Sequence, residues 1–300
     1  MKTVISLTKR NVKLFFKDKG MFFTSLITPL ILLVLYATFL SNVYRDSFMI
    51  GIPAEISIDP KLIDGLVGGQ LISSLLAVSC ITVAFCSNFL MVQDKATGTI
   101  KDLNMSPVKP SELAIAYYAA SLISTLIICY TATALSLVYV AAVGWYMSFA
   151  DVILLLVDVF ILTLFGTALS SVVNFFLSTQ GQISAVGSIV SSCYGFICGA
   201  YMPISSFGST LQKIVGMLPG TYGTSLIRNH AMRGVLGEME NDGIPSFVIE
   251  EFKDAVDCNI YFFDKQVGVP VMLAVLLGTI TLLVGAYVLL NALKKPAKSS

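Results

Sequence analysis

The sequence is poor in charge. Lysine, arginine, aspartate and glutamate make up 12% of its 300 residues, whereas hydrophobic residues make up 56%. Soluble domains carry about 25% charged residues, so this composition excludes a soluble globular domain and a disordered chain. The net charge of +1 gives no indication of a nucleic-acid partner. The composition is that of an integral membrane protein.

Residues that build catalytic and metal sites are also scarce. The single histidine is His230, and the six cysteines form neither a CxxC pair nor a cluster with histidine. No paired aspartates, HExxH motif or serine–histidine arrangement is present. We therefore predict no catalytic residue and no metal site, and we interpret His230 as an ordinary loop residue without a partner.

Long uncharged runs are what the sequence has in abundance. A helix needs about 20 apolar residues to cross a bilayer, and a polar break at 178–182 divides the longest run in two. The sequence therefore predicts an all-α integral membrane protein with six transmembrane helices. The predicted spans are residues 21–41, 66–91, 112–140, 150–177, 182–202 and 267–291.

The distribution of lysine and arginine predicts the topology. Both ends of the chain and the loop between spans two and three are basic, which assigns them to the cytoplasm. The predicted organisation is an amphipathic interfacial helix (1–20), spans one to five (21–202) with the cytoplasmic loop 93–111, an extracellular segment (203–265), span six (266–293) and a cytoplasmic tail (294–300).

The N-terminal segment has two distinct faces. At helical spacing, residues 2–17 place apolar side chains on one face and lysines and arginine on the other. This pattern is typical of a helix that lies on anionic lipid. The alternative is that the segment is only the positively charged flank of the first span.

The extracellular segment contains a second helical pattern. Leu211, Ile214, Val215 and Leu218 recur at helical spacing, and Pro219–Gly220 is expected to end that short helix. Such short helices either dip into the outer leaflet, shielded by protein, or lie flat on the outer surface. Residues 238–263 are acidic and predict a small exposed subdomain.

The stretch "VQDKATGTIKDLNMSPVKPSEL" (92–113) forms the cytoplasmic loop between two spans. Its pattern is an acidic residue, a Gly-Thr step, a leucine and a Ser-Pro step, supplied by Asp94, Gly98-Thr99-Ile100, Leu103 and Ser106-Pro107-Val108. A second stretch, "MLPGTYGTSLIR" (217–228), follows span five. With these motifs and six spans, nearly the whole chain resembles a permease subunit of the ABC type-2 exporter family.

The resemblance implies that the loop is a coupling helix docked on a separate ATP-binding subunit. It assigns ATPase coupling to Asp94, Gly98, Thr99, Ile100, Leu103 and Pro107. On such a helix Ile100, Leu103 and Met105 could fill an apolar groove of the ATPase, with Lys95, Lys101 and Asp102 pairing at its rim. The alternative is a generic polar loop.

The sequence contains no GxxxxGK[ST] phosphate-binding loop. We therefore expect no cofactor bound directly to this chain, with ATP and magnesium bound by a partner ABC ATPase. The resemblance further implies a second permease subunit, identical or homologous, and contact with membrane lipids.

Three residues are candidates for the transport path. Asp158 lies deep in predicted span four, where a charge is costly and faces protein or water. Ser188 and Ser192 belong to the small-residue-rich span five, which in the family lines the path. The alternatives are a protonated or paired structural aspartate, bonded to serine, threonine or tyrosine on span three or five, and simple close packing of helices.

The sequence thus predicts the permease subunit of an ATP-driven exporter of a drug, lipid, glycan or peptide. We expect it in the bacterial cytoplasmic membrane with both termini in the cytoplasm. An ion-coupled secondary transporter is the alternative, but the sequence has no clear internal repeat. An intramembrane enzyme would need clustered catalytic groups.

Overall fold

The computed structural model describes residues 2–51, 58–105, 108–263 and 265–293. Within these ranges, five helices are long and apolar enough to cross a membrane. They are Lys19–Met49, Pro60–Ala96, Pro110–Val143, Phe149–Phe175 and Val269–Leu293. The chain is therefore an all-α multi-pass membrane protein. The predicted tail 294–300 lies outside the described residues.

The chain begins with a separate amphipathic helix, α1 (Lys2–Lys17). Asp18 leaves helical geometry and caps the next helix, α2 (Lys19–Leu35), by accepting the Met21 N–H at 3.1 Å. α1 packs against the helix that follows the cytoplasmic loop and buries Phe15, while Lys9 and Lys13 stay exposed. Much of its apolar face therefore contacts protein.

The first membrane helix is longer than the predicted span 21–41. α2 passes through a π-helical turn (Tyr36–Leu40) into α3 (Ser41–Gly51) without a break. Residues 42–51, expected in an outer loop, are thus helical.

The central element is α4 (Pro60–Ala96), a helix of 37 residues that is buried along almost all of its length. It packs against α2, α6 (Pro110–Val143), α7 (Phe149–Phe175) and two further helices described next. The last helix, α12 (Val269–Leu293), packs on α6 and α7. Any movement of α4 therefore involves most of the membrane domain.

The helix α8 (Gln180–Ile197) corresponds to the predicted fifth span. It is not among the five long apolar helices, because glutamine, serine and glycine lower its hydropathy. Its one extensive contact among the described residues is with α4.

The segment after α8 is mostly helical. It contains a short 3-10 turn followed by one long helix, two short helices and two short strands. The elements are Ile204–Ser206, α9 (Ser209–Val215), α10 (Pro219–Asn241), α11 (Ser246–Ala255), β1 (Ile260–Phe262) and β2 (Lys265–Val267). The two strands form an antiparallel hairpin in which Ile260 pairs with Val267.

The long helix α10 differs from the short helices expected here. Gly216 ends α9, and Pro219 begins α10 instead of ending the previous helix. Proline suits the first helical position because that position needs no N–H partner. α10 packs against α4, α7 and α12. The approach to α4 is close: a Cβ on Gly69 would lie 2.7 Å from Cγ of Met232.

Candidate functional site

A two-residue turn separates α4 from α5 (Thr99–Met105), the helix within the predicted coupling loop. Thr97 donates its hydroxyl to the Gln93 carbonyl at 3.0 Å and so closes the last turn of α4. Gly98 then adopts φ +83°, and a Cβ there would meet nothing within 4 Å. Because L-residues disfavour this backbone region, glycine is needed for conformation and not for space.

The two faces of α5 have different surroundings. Ile100 and Leu103 are half-buried in an apolar cluster of the chain's own residues, which includes Leu90, Met91 and Leu113. Their side chains therefore do not project outward in the way predicted for residues that fill a groove on the ATPase. The exposed side chains of α5 include Lys101, Asp102 and Met105, the last of which is 79% exposed. Pro107 lies outside the described residues.

Asp94 is buried and bonded within the chain. Its carboxylate accepts hydrogen bonds from the Arg10 guanidinium at 3.0 Å and from the Tyr117 hydroxyl at 2.6 Å. Arg10 lies on α1 and Tyr117 on α6. Asp94 therefore holds the N-terminal helix against α4 and α6, a role that the family resemblance did not suggest.

Lys95 is also engaged, so it is not one of the rim charges expected from the sequence. Its ammonium donates to the backbone carbonyls of Asn174, Phe175 and Leu177 at 2.7–3.0 Å. These carbonyls end α7. A cation at a helix C-terminus satisfies carbonyls that have no partner within the helix.

A groove of about 720 Å³ lies between α2, α4 and α8. Ser188 and Ser192 line it, together with Ser184 one turn earlier. The opposing walls carry Thr24 and Phe89 among other side chains. The groove therefore combines hydroxyl groups with apolar surface, and its volume lies in the range of small-molecule sites.

Asp158, the third path candidate, does not line this groove. It is buried on α7 and shares a hydrogen bond with Nδ1 of His230 on α10. A second pair joins the same helices, since Arg233 lies 2.5 Å from Asp151. The interpretation of His230 as a loop residue without a partner was wrong, and the partner of Asp158 is not a hydroxyl group on span three or five.

A fully buried pair organises the segment that follows α8. The Arg228 guanidinium donates to Asp257 at 2.9 Å and also to the Gly199 carbonyl. Asp257 accepts the Ile204 N–H at 3.0 Å. Burial raises the pKa of the Asp257 carboxyl, and the neighbouring Arg228 opposes that rise. The pair thus connects α10 with the segments that precede it and follow it in the sequence.

Residues 2–231 match the family model described as ABC-2 type transporter. Because this match covers well over half of the chain, the chain belongs to that family. A comparison with curated proteins gives no match. Membership makes the chain the membrane, permease subunit of an ABC transporter, and it implies an ABC ATPase subunit as partner.

Sequence reasoning missed several residues of this region: Arg10, Tyr117, Arg228 and His230. Each is paired with a residue of another element, and no local pattern reports such a partner. One signal was available, because Asp158 lay deep in a predicted span, where a carboxylate needs a partner of opposite charge or a hydrogen-bond donor.

Proposed function

We propose that this chain is half of the transport path of an exporter in the bacterial cytoplasmic membrane. Two permease subunits meet at the faces that carry α2 and α8, and two separate ATPases bind ATP and magnesium on the cytoplasmic side. Both termini of the chain lie in the cytoplasm. Substrate moves outward between the two permeases.

The observation that carries the proposal is the arrangement around α5. A short helix exposes Lys101, Asp102 and Met105, while its other face is packed into the chain's own apolar cluster. Its connection to α4 is a tight turn, and α4 contacts most of the membrane helices. A displacement of α5 by an ATPase therefore reaches the membrane helices through packed elements and not through a flexible loop.

Two contacts support a role for α1 in the same movement. The pairing of Asp94 with Arg10 and Tyr117 holds α1 beside the turn at Thr97 and Gly98 that leads into α5, which we call the coupling turn. The lysines of α1 remain exposed on its outer face. We expect them to lie near anionic headgroups of the inner leaflet.

The chemistry of α8 supports the seam between two permeases. It exposes Ser184, Ser188 and Ser192 at a spacing of four residues, which aligns them along one face. A hydroxyl-rich face is a poor match to lipid tails and a good match to a partner helix or a water-filled path. We therefore assign Ser188 and Ser192 to the path.

Purification of the tagged chain from its native membranes tests this function. We expect an ABC ATPase to co-purify and the complex to hydrolyse ATP. Replacing the phosphate-loop lysine of that ATPase should abolish hydrolysis and leave the complex intact. Purification of the permease without an ATPase, or hydrolysis that survives this replacement, would overturn the proposal.

A further inference from the structure

Lys95 connects the coupling turn to the junction between α7 and α8. Its Nζ lies 2.9 Å from the Asn174 carbonyl, 2.7 Å from that of Phe175 and 3.0 Å from that of Leu177. It also lies 5.5 Å from the centre of the Phe175 ring. One side chain thus satisfies three carbonyls at the end of a membrane helix, where a positive charge is favoured by the helix dipole.

The junction that Lys95 holds is short and tightly bonded. The Gln182 side-chain carbonyl accepts the N–H groups of Ser178 at 2.8 Å and Thr179 at 3.2 Å. The Thr179 hydroxyl in turn accepts the Gln182 N–H at 3.3 Å, which completes a capping box at the start of α8. A displacement of the carbonyls at the end of α7 is therefore passed to the first turn of α8.

α8 has few other connections at this end. Its one extensive contact among the described residues is with α4, and its opposite face is exposed or lines the groove. Lys95 stands three residues before Gly98, at the cytoplasmic end of α4. Lys95 therefore adds a polar connection between the segment next to α5 and the junction that leads into α8, the helix that carries Ser188 and Ser192.

We infer that Lys95 is a positioning residue that transmits displacement of the coupling helix to α8 and so to the groove. The inference rests on the proposed function. When α5 moves, the ammonium of Lys95 pulls or releases the α7–α8 junction, and α8 shifts against α4. Lys95 itself contacts neither ATP nor substrate in this mechanism.

The natural cysteines provide a probe that needs no knowledge of the substrate. All six lie in the described ranges, and Cys193 on α8 is the only one that is exposed. In the segment that follows α8, burial raises the pKa of the Cys258 thiol to about 12, so it stays protonated near neutral pH. The rate at which a maleimide alkylates Cys193 therefore reports the surroundings of α8.

The experiment compares that rate with and without a non-hydrolysable ATP analogue, in the complex with its ATPase. In the wild type we expect a rate ratio of at least about fivefold, the lower end of typical coupling between sites. In K95M, which keeps the length of the side chain but not the ammonium, we expect a ratio of about one with ATP binding retained. The C193S variant identifies the labelled thiol.

Two further variants separate coupling from stability. K95R keeps donors that can reach the same carbonyls and should retain the nucleotide dependence. K109M removes an exposed lysine from the other end of the loop, and its ratio should equal that of the wild type. If K95M does not assemble, K95Q takes its place, because its amide can bond some of the carbonyls, and an intermediate ratio is expected.

The outcomes distinguish this inference from the proposed function. A complex that binds ATP and keeps the wild-type ratio in K95M would overturn the role of Lys95 and leave the exporter function intact. A ratio of about one in K95R or K109M as well as in K95M would also overturn the role of Lys95, because the nucleotide dependence of labelling would then not depend on the carbonyl contacts. Absence of any bound ATPase in the wild type would overturn both.

Discussion

Asp94 and Lys95 are consecutive residues at the end of α4, yet they bind different helices of the membrane domain. Asp94 binds Arg10 of α1 and Tyr117 of α6, whereas Lys95 binds the carbonyls that end α7. The four residues of chain that follow Asp94 lead through Gly98 into α5. The last turn of α4 is therefore fixed to three other helices directly before the coupling turn.

Replacing Asp94 with asparagine should loosen α1. The change removes the charge that the Arg10 guanidinium contacts, although Tyr117 can still donate a hydrogen bond. A hydrogen bond to a charged group contributes about 1.5–3 kcal/mol, so we expect a lower thermal unfolding temperature of the detergent-purified chain. K9Q, at an exposed lysine of the same helix, is the matched control and should be neutral. An equal loss in both variants would contradict a specific role for Asp94.

Replacing Gly98 with alanine should disturb the entry to α5. At φ +83° an L-residue costs about 1–2 kcal/mol, and the open space around the position means that no clash adds to this cost. We expect less ATPase to co-purify with G98A than with the wild type. G98N should lie between them, because asparagine tolerates this conformation better than alanine.

Gly237 offers the control for that substitution. It lies within α10, and a Cβ there also meets nothing within 4 Å. Alanine is favoured over glycine in a helix interior, so G237A should leave ATPase binding unchanged. If G98A bound as much ATPase as G237A, the requirement for a left-handed turn would be refuted.

Breaking the Arg228–Asp257 pair should destabilise the segment that follows α8. D257L leaves a buried guanidinium without its carboxylate, R228M leaves the carboxylate without its guanidinium, and removal of one partner of a buried pair costs about 3–5 kcal/mol. The double variant R228M/D257L removes both charges and should lose less than the two single variants together. Thermal unfolding measures all three variants. Single variants as stable as the wild type would show that the pair contributes little.

Two copies should cross-link through Cys193 if α8 lies at the seam between permeases. Cys193 is exposed on α8, and a disulfide forms only where two Cα atoms approach to within about 7 Å. Oxidation of native membranes should therefore yield a covalent dimer that reducing agent reverses and that C193S abolishes. Two results would show that the seam lies elsewhere than at this part of α8. One is a covalent dimer that persists in C193S. The other is a wild type that forms no disulfide dimer although mild cross-linking of its lysines shows that two copies associate.

The sequence predicted the fold class and the order of the five long apolar helices, because these depend on local hydropathy. The polar pairs between helices were not predictable in this way. Arg10 and Asp94 are 84 positions apart, and Asp158 and His230 are 72 apart. Neither pair leaves a periodic signal in one element.

The helix α10 illustrates the same limit. Arg228, His230 and Arg233 give it the polar character expected of an outer segment, although each of these side chains meets an aspartate from elsewhere in the chain. Pairing with Asp257 lowers the cost of burying Arg228, whereas Arg233 stays half-exposed beside Asp151, and the helix packs against α4 and α7 despite its polarity. Ile100 and Leu103 show the converse, since apolar residues expected to contact a partner are packed within the chain.

Site-specific photocross-linking from α5 tests the central claim most directly, namely that a separate ATPase drives this permease through the exposed face of that helix. A photoreactive residue replaces Met105, which is 79% exposed, or Ile100, which is half-buried in the apolar cluster around Leu90 and Leu113. The account predicts a covalent adduct with an ABC ATPase from position 105 and little or none from position 100. An adduct from position 100 alone, or no ATPase adduct from position 105 in membranes that contain the assembled complex, would contradict it.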